Sequence, residues 1–92
     1  MPEVKYRVMV IEHFEQGAEP VYRRLAEHGR MLPDGVEVLS SWISDDLTVC
    51  YQVMSYTEPA ALERWMDEWR DIVSFEVVPV IDSEAARRRA VK

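Results

Sequence analysis

The stretch Thr57 to Ile72, TEPAALERWMDEWRDI, decides the fold. Leu62, Trp65, Met66, Trp69 and Ile72 fall at i, i+3, i+4, i+7 and i+10, so one stripe of a helix carries five large apolar side chains. The other face, Glu63, Arg64, Asp67, Glu68, Arg70 and Asp71, belongs in water. There Arg64 and Glu68 form a favourable pair one turn apart, while Glu63 and Asp67 repel. Thr57 is the expected N-cap, and Pro59 suits a first turn that needs no amide donor. On both sides the helical period stops. Leu47 to Tyr56 is rich in Val, Thr, Tyr and Cys, and Phe75 to Ile81 is apolar at odd and even positions apart from Glu76, so both read as strands.

Further upstream, Lys5 to Phe14 holds Val8, Met9, Val10 and Ile11, the pattern of a strand covered on both faces. Gly17 breaks it. From Pro20 the residues Val21, Leu25 and Leu32, with Tyr22 and Ala26 alongside, follow helical spacing and predict a first helix ending between Gly29 and Leu32. Pro33-Asp34-Gly35 is a turn. Val36, Val38, Ser40 and Trp42 then alternate with Glu37, Leu39, Ser41 and Ile43 in a second strand, joined through Ser44-Asp45-Asp46 to the third. A loop of two, three or four residues fits this hairpin. A change of one residue flips the face that Trp42 shares with the third strand, so the register stays open.

The order is βαββαβ. It predicts an α+β, ferredoxin-like fold: a four-stranded antiparallel sheet in the order 4-1-3-2 with two helices on one face. The opposite face is then bare. Strands one, three and four are apolar on both parities, which would expose a patch on the order of several hundred Å². A second copy packed face to face, in the manner of a dimeric α/β-barrel, is the expected cover, and Pro79 marks the last strand as an edge. The domain is expected to span residues 1–82. Residues 83–92 form a basic tail, read as solvated, with a short helix starting at Ser83 as the alternative.

Charge and composition narrow the function classes. The chain has 92 residues and a net charge of −6, yet Arg87, Arg88, Arg89 and Lys92 all lie at the end, so the body is more acidic still. That opposes nucleic-acid binding, which relies on clustered cations. The longest aliphatic run near the start, Val8 to Ile11, is too short for a leader or a membrane span, so no membrane is expected and a cytoplasmic location follows. Cys50 is the only cysteine, which excludes an internal disulfide and a multi-thiolate metal site. No glycine-rich phosphate loop, nucleophile elbow or RNA-recognition motif is present.

Few residues remain as carriers of chemistry. His13, at the end of strand one, is the candidate acid, base or metal ligand, against a structural role at a strand end. Glu12 points to the other face, so the two are not expected to form a dyad. His28 has Arg24 and Leu32 one turn away, not a second ligand, and reads as a helix-end histidine. Trp42, Tyr22, Tyr51 and Cys50 are the candidate ligand-binding set. Ser40 and Ser41 would leave room beside the Trp42 ring for a flat organic molecule, or would merely accommodate the ring itself. Trp65 and Trp69 read as core.

The segments Ile11-Glu12-His13-Phe14, Gly29-Arg30-Met31-Leu32-Pro33, Ser40-Ser41-Trp42, Cys50-Tyr51-Gln52-Val53-Met54 and Phe75-Glu76-Val77-Val78-Pro79-Val80 resemble the family of domain of unknown function 3303. The resemblance covers nearly all of the chain short of the basic tail. It implies the dimeric α/β-barrel fold and no settled activity; that wider superfamily includes cofactor-free monooxygenases, haem-degrading enzymes, isomerases and ligand-binding regulators. Two readings follow. One is a non-catalytic homodimer that binds a small apolar or aromatic molecule or a protein partner. The alternative is a cofactor-independent oxygenase or isomerase with His13 as acid or base and Trp42 as pocket wall. Neither requires a cofactor.

Overall fold

The structure, a computed structural model, describes residues 4–91. Its elements are β1 (Tyr6–Phe14), α1 (Ala18–His28), β2 (Val36–Ile43), β3 (Val49–Tyr56), α2 (Pro59–Asp67), β4 (Val73–Pro79) and α3 (Ser83–Ala90). The sheet is antiparallel throughout, in the order β2-β3-β1-β4, which counted from the β4 edge is 4-1-3-2.

Alternation builds the core. Val8, Val10, Glu12 and Phe14 of β1 point to the helix side, as do Cys50, Gln52 and Met54 of β3 and Val73 of β4. Val21 of α1 and Ala61, Leu62, Trp65 and Met66 of α2 cover them, so these two helices share one face of the sheet. The helix itself stops at Asp67, well before the apolar stripe does. Trp69 and Ile72 stay buried because the chain continues in tight turns, with Trp69 N–H donating to Met66 O at 2.9 Å and Ile72 N–H to Trp69 O at 3.0 Å. These short turns keep successive apolar side chains over the sheet although the α-helix has ended.

Several expectations need correction. Glu58, not Thr57, is the N-cap of α2 and supplies no side-chain cap bond. Thr57 is used elsewhere: its N–H donates to Gly35 O at 3.1 Å, and a Cβ on Gly35, whose φ is +86°, would lie 2.5 Å from the Thr57 hydroxyl. α1 ends at His28, with Gly29 as its C-cap at φ 68°. β3 begins at Val49 and not at Leu47, which sits in the hairpin loop at φ 64°. That loop, residues 44–48, is longer than the sequence suggested because Asp46 organises it. Its Oδ1 accepts from the hydroxyls of Ser44 and Thr48, each at 2.7 Å, and these bonds hold the carboxyl below the usual range.

The register of the hairpin shifts between Val38 and Ser40, leaving Leu39 as a bulge. Val36 and Val38 lie opposite Tyr56 and Met54 on the helix side, whereas Ser40 and Trp42 lie opposite Val53 and Tyr51 on the bare side. The tail is helical: Asp82 caps α3 by accepting from Ala85 N–H at 2.8 Å, Glu84 pairs with Arg87, and no α3 residue is buried. Among the described residues, no helix is long and apolar enough to cross a membrane.

Candidate functional site

Between the sheet and the two covering helices lies a pocket of about 110 Å³. Its floor is a polar patch drawn from three strands: Glu12 of β1, Cys50 and Gln52 of β3, and Ser41 of β2. Its walls are Val21, Tyr22 and Leu25 of α1 with Trp65 and Trp69, and Arg30 stands at the rim.

Two hydrogen bonds fix the aromatic wall. The indole Nε1 of Trp65 and that of Trp69 donate to the same acceptor, Arg30 O, at 3.0 and 3.3 Å. The carbonyl reaches them because the chain reverses after α1 through Gly29 and then Met31, a non-glycine residue at φ 60°. Such left-handed backbone at a large residue costs on the order of 1 kcal/mol and persists only where its surroundings enforce it. Arg24 braces the same wall from α1. Its guanidinium makes two 2.7 Å bonds to the Asp71 carboxylate and one of 2.8 Å to Glu68 O, and lies 5.5 Å from the centre of the Trp69 ring. The guanidinium holds the Asp71 carboxyl below its usual range.

The floor is electrostatically unusual. Glu12 is only 5% exposed, and burial raises its pKa above the ordinary carboxylate value; hydrogen bonds from Gln52 and Cys50 and the charge of Arg30 oppose the rise. Gln52 is 6% exposed and donates its Nε2 to Glu12. The amide's other end, Oε1, is buried without a hydrogen-bond partner among the described residues. Cys50 Sγ lies 3.7 Å from Ser41 Oγ, and burial, with Glu12 close by, pushes the thiol up to about 11.

A thiol shifted from 9.0 to about 11 has about a hundredfold less thiolate at neutral pH than an ordinary cysteine. Cys50 is therefore expected to react with an aromatic disulfide reagent at least about 100-fold more slowly in the native protein than in urea. Equal rates in the two states would contradict its place on the floor.

The residues singled out from the sequence divide between the two faces of the sheet. Tyr22 and Cys50 line the pocket. Trp42 and Tyr51 do not: they pair across β2 and β3 on the bare face, in one row with Ile11 and Glu76, and Trp42 is 71% exposed. His13 is also on that face, half-exposed, with Nε2 3.8 Å from Glu76 Oε2. His28 ends α1 in solvent beside Glu27. Glu12 and Gln52, at the centre of the pocket floor, were not among the candidates. Their signal was nevertheless present: each is a lone polar residue on a parity otherwise apolar, Glu12 between Val10 and Phe14 and Gln52 between Cys50 and Met54.

Fold and site together define a small α+β domain with a polar-floored pocket between its layers and one bare sheet face. The chain belongs to the family described as Domain of unknown function (DUF3303), whose sequence pattern matches residues 7–92. The match includes α3, so the basic tail lies within the family domain. No curated protein and no solved structure matches the chain.

Proposed function

We propose that this domain works as a homodimer of the ferredoxin-like, dimeric α/β-barrel type and binds a small apolar or aromatic molecule in the pocket between sheet and helices. The observation that carries the reading is a cavity walled by Tyr22, Trp65 and Trp69 over a floor where Glu12 and Gln52 are buried together. A few convergent polar groups in a mainly apolar hollow is what a small-molecule site requires. The bare face, with Met9, Ile11, Val53 and Val78 around Trp42 and Tyr51, supplies the surface for the second copy.

Native mass spectrometry tests both parts. The expected result is a dimer for the wild type and a monomer of unchanged circular dichroism for the double variant Trp42→Lys, Tyr51→Lys. In Ser41→Phe, which fills the floor, a small bound mass seen in the wild type should vanish while the dimer persists. A monomeric wild type would remove the dimer, and a bound mass unchanged by Ser41→Phe would remove the pocket.

One observation favours the enzymatic alternative, a cofactor-independent oxygenase or isomerase: a buried carboxyl of raised pKa stands at the pocket floor, within reach of a bound molecule. In that version Glu12 takes the role the sequence suggested for His13, which lies across the sheet from the pocket.

A further inference from the structure

The chemistry of the ligand follows from three features of the pocket, given that the pocket is a binding site. The first is size. A cavity of about 110 Å³ is smaller than the roughly 150 Å³ apolar cavity that takes benzene in another protein, so a single ring is the upper limit. The second is the unmet acceptor. Gln52 spends its Nε2 on Glu12 and leaves Oε1 buried with no donor among the described residues, and Glu12 beside it is a further acceptor. Buried acceptors without donors are costly, and a ligand that brings a donor removes that cost while one without a donor leaves it in place. The third is the balance of charge. An anionic ligand would meet Glu12 on the floor; a cationic one would meet Arg30 at the rim. Neither sign is favoured.

We propose that the pocket takes a neutral single-ring molecule bearing one O–H or N–H donor, with the ring between Tyr22 and the two tryptophans and the donor received by the Glu12–Gln52 pair. Four single-ring probes separate the possibilities: phenol and toluene, which match in size, and the charged benzoate and benzylammonium. Binding is read from the indole N–H resonances of Trp65 and Trp69 in a two-dimensional NMR titration. Phenol is expected to bind about tenfold or more tighter than toluene, in line with the value of a buried hydrogen bond. Benzoate and benzylammonium should be weaker than phenol. In Gln52→Met, and independently in Gln52→Leu, the preference for phenol over toluene should shrink while toluene still binds.

Toluene binding as tightly as phenol to the wild type would overturn the inference and leave the pocket as a site for apolar molecules. Benzoate or benzylammonium binding tightest would overturn the neutral-ligand assignment. If none of the four shifts either indole in a well-dispersed spectrum, this inference and the pocket reading beneath it both fall.

Discussion

Trp65→Ala is expected to lower the unfolding free energy by about 3–5 kcal/mol, the usual cost of deleting a large aromatic side chain from a core. A chain of this length has only about 5–14 kcal/mol to lose, so the variant gives up between about a fifth of its stability and all of it. Three separate contacts go at once. Trp65 is 3% exposed in the middle of the α2 stripe, meets Phe75 edge-on at 5.5 Å, and donates to Arg30 O at 3.0 Å. Trp65→Phe keeps most of the buried area and loses the indole donor, leaving Arg30 O to Trp69 alone; a loss of about 1–2 kcal/mol is expected. Urea unfolding followed by circular dichroism measures both. A loss below about 1 kcal/mol for Trp65→Ala would mean that α2 is not what closes the core.

Glu12→Gln should stabilise the protein at neutral pH, an unusual outcome for a buried side chain in a hydrogen-bonded row. The folded state raises the Glu12 pKa above 4.5, so between that value and the raised one the native protein binds more protons than the unfolded chain. Stability attributable to this residue then falls as pH rises through that window and levels off above it. Each unit of separation corresponds to about 1.4 kcal/mol. Glutamine keeps the size and still accepts from Gln52 but never ionises, so its advantage over the wild type should be small near pH 4 and grow towards pH 7. Urea denaturation across pH 4–8 reads the difference. A gap that narrows with rising pH would show that Glu12 is stabilised as the carboxylate instead. The same variant removes the negative charge beside Cys50, so the thiol should label faster than in the wild type.

The helical stripe of residues 62–72 was legible because its period is strong and its outer face is fully charged. The strands were legible in number and chain order from short runs of β-branched and aromatic residues between turn signals, as were the bare face and Gly35 as a turn residue. What the sequence could not resolve lies in β2. From Val38 to Ile43 the side chains run Val, Leu, Ser, Ser, Trp, Ile, and neither parity is clearly the apolar one, so nothing in the alternation marks Leu39 as the residue that breaks step. Trp42 and Ser41 therefore exchange faces relative to strict alternation from Val36. The candidate site was affected in turn. A cavity beside Cys50 exists, but Ser41 lines it and Trp42 does not. Glu12 is hidden in the sequence behind its histidine neighbour, the residue type more readily linked to acid–base chemistry, and only its burial in the fold marks it out.

The bulge at Leu39 is also what keeps the pocket hollow. Were Leu39 to take an ordinary place in the ladder, plain alternation from Val36 would turn Trp42 inward, to the side of the sheet that Ser41 now faces. The indole would then plug the hollow between the layers, and the bare face would lose its most exposed aromatic ring. A hollow domain and a solid one thus stand a single step of strand register apart.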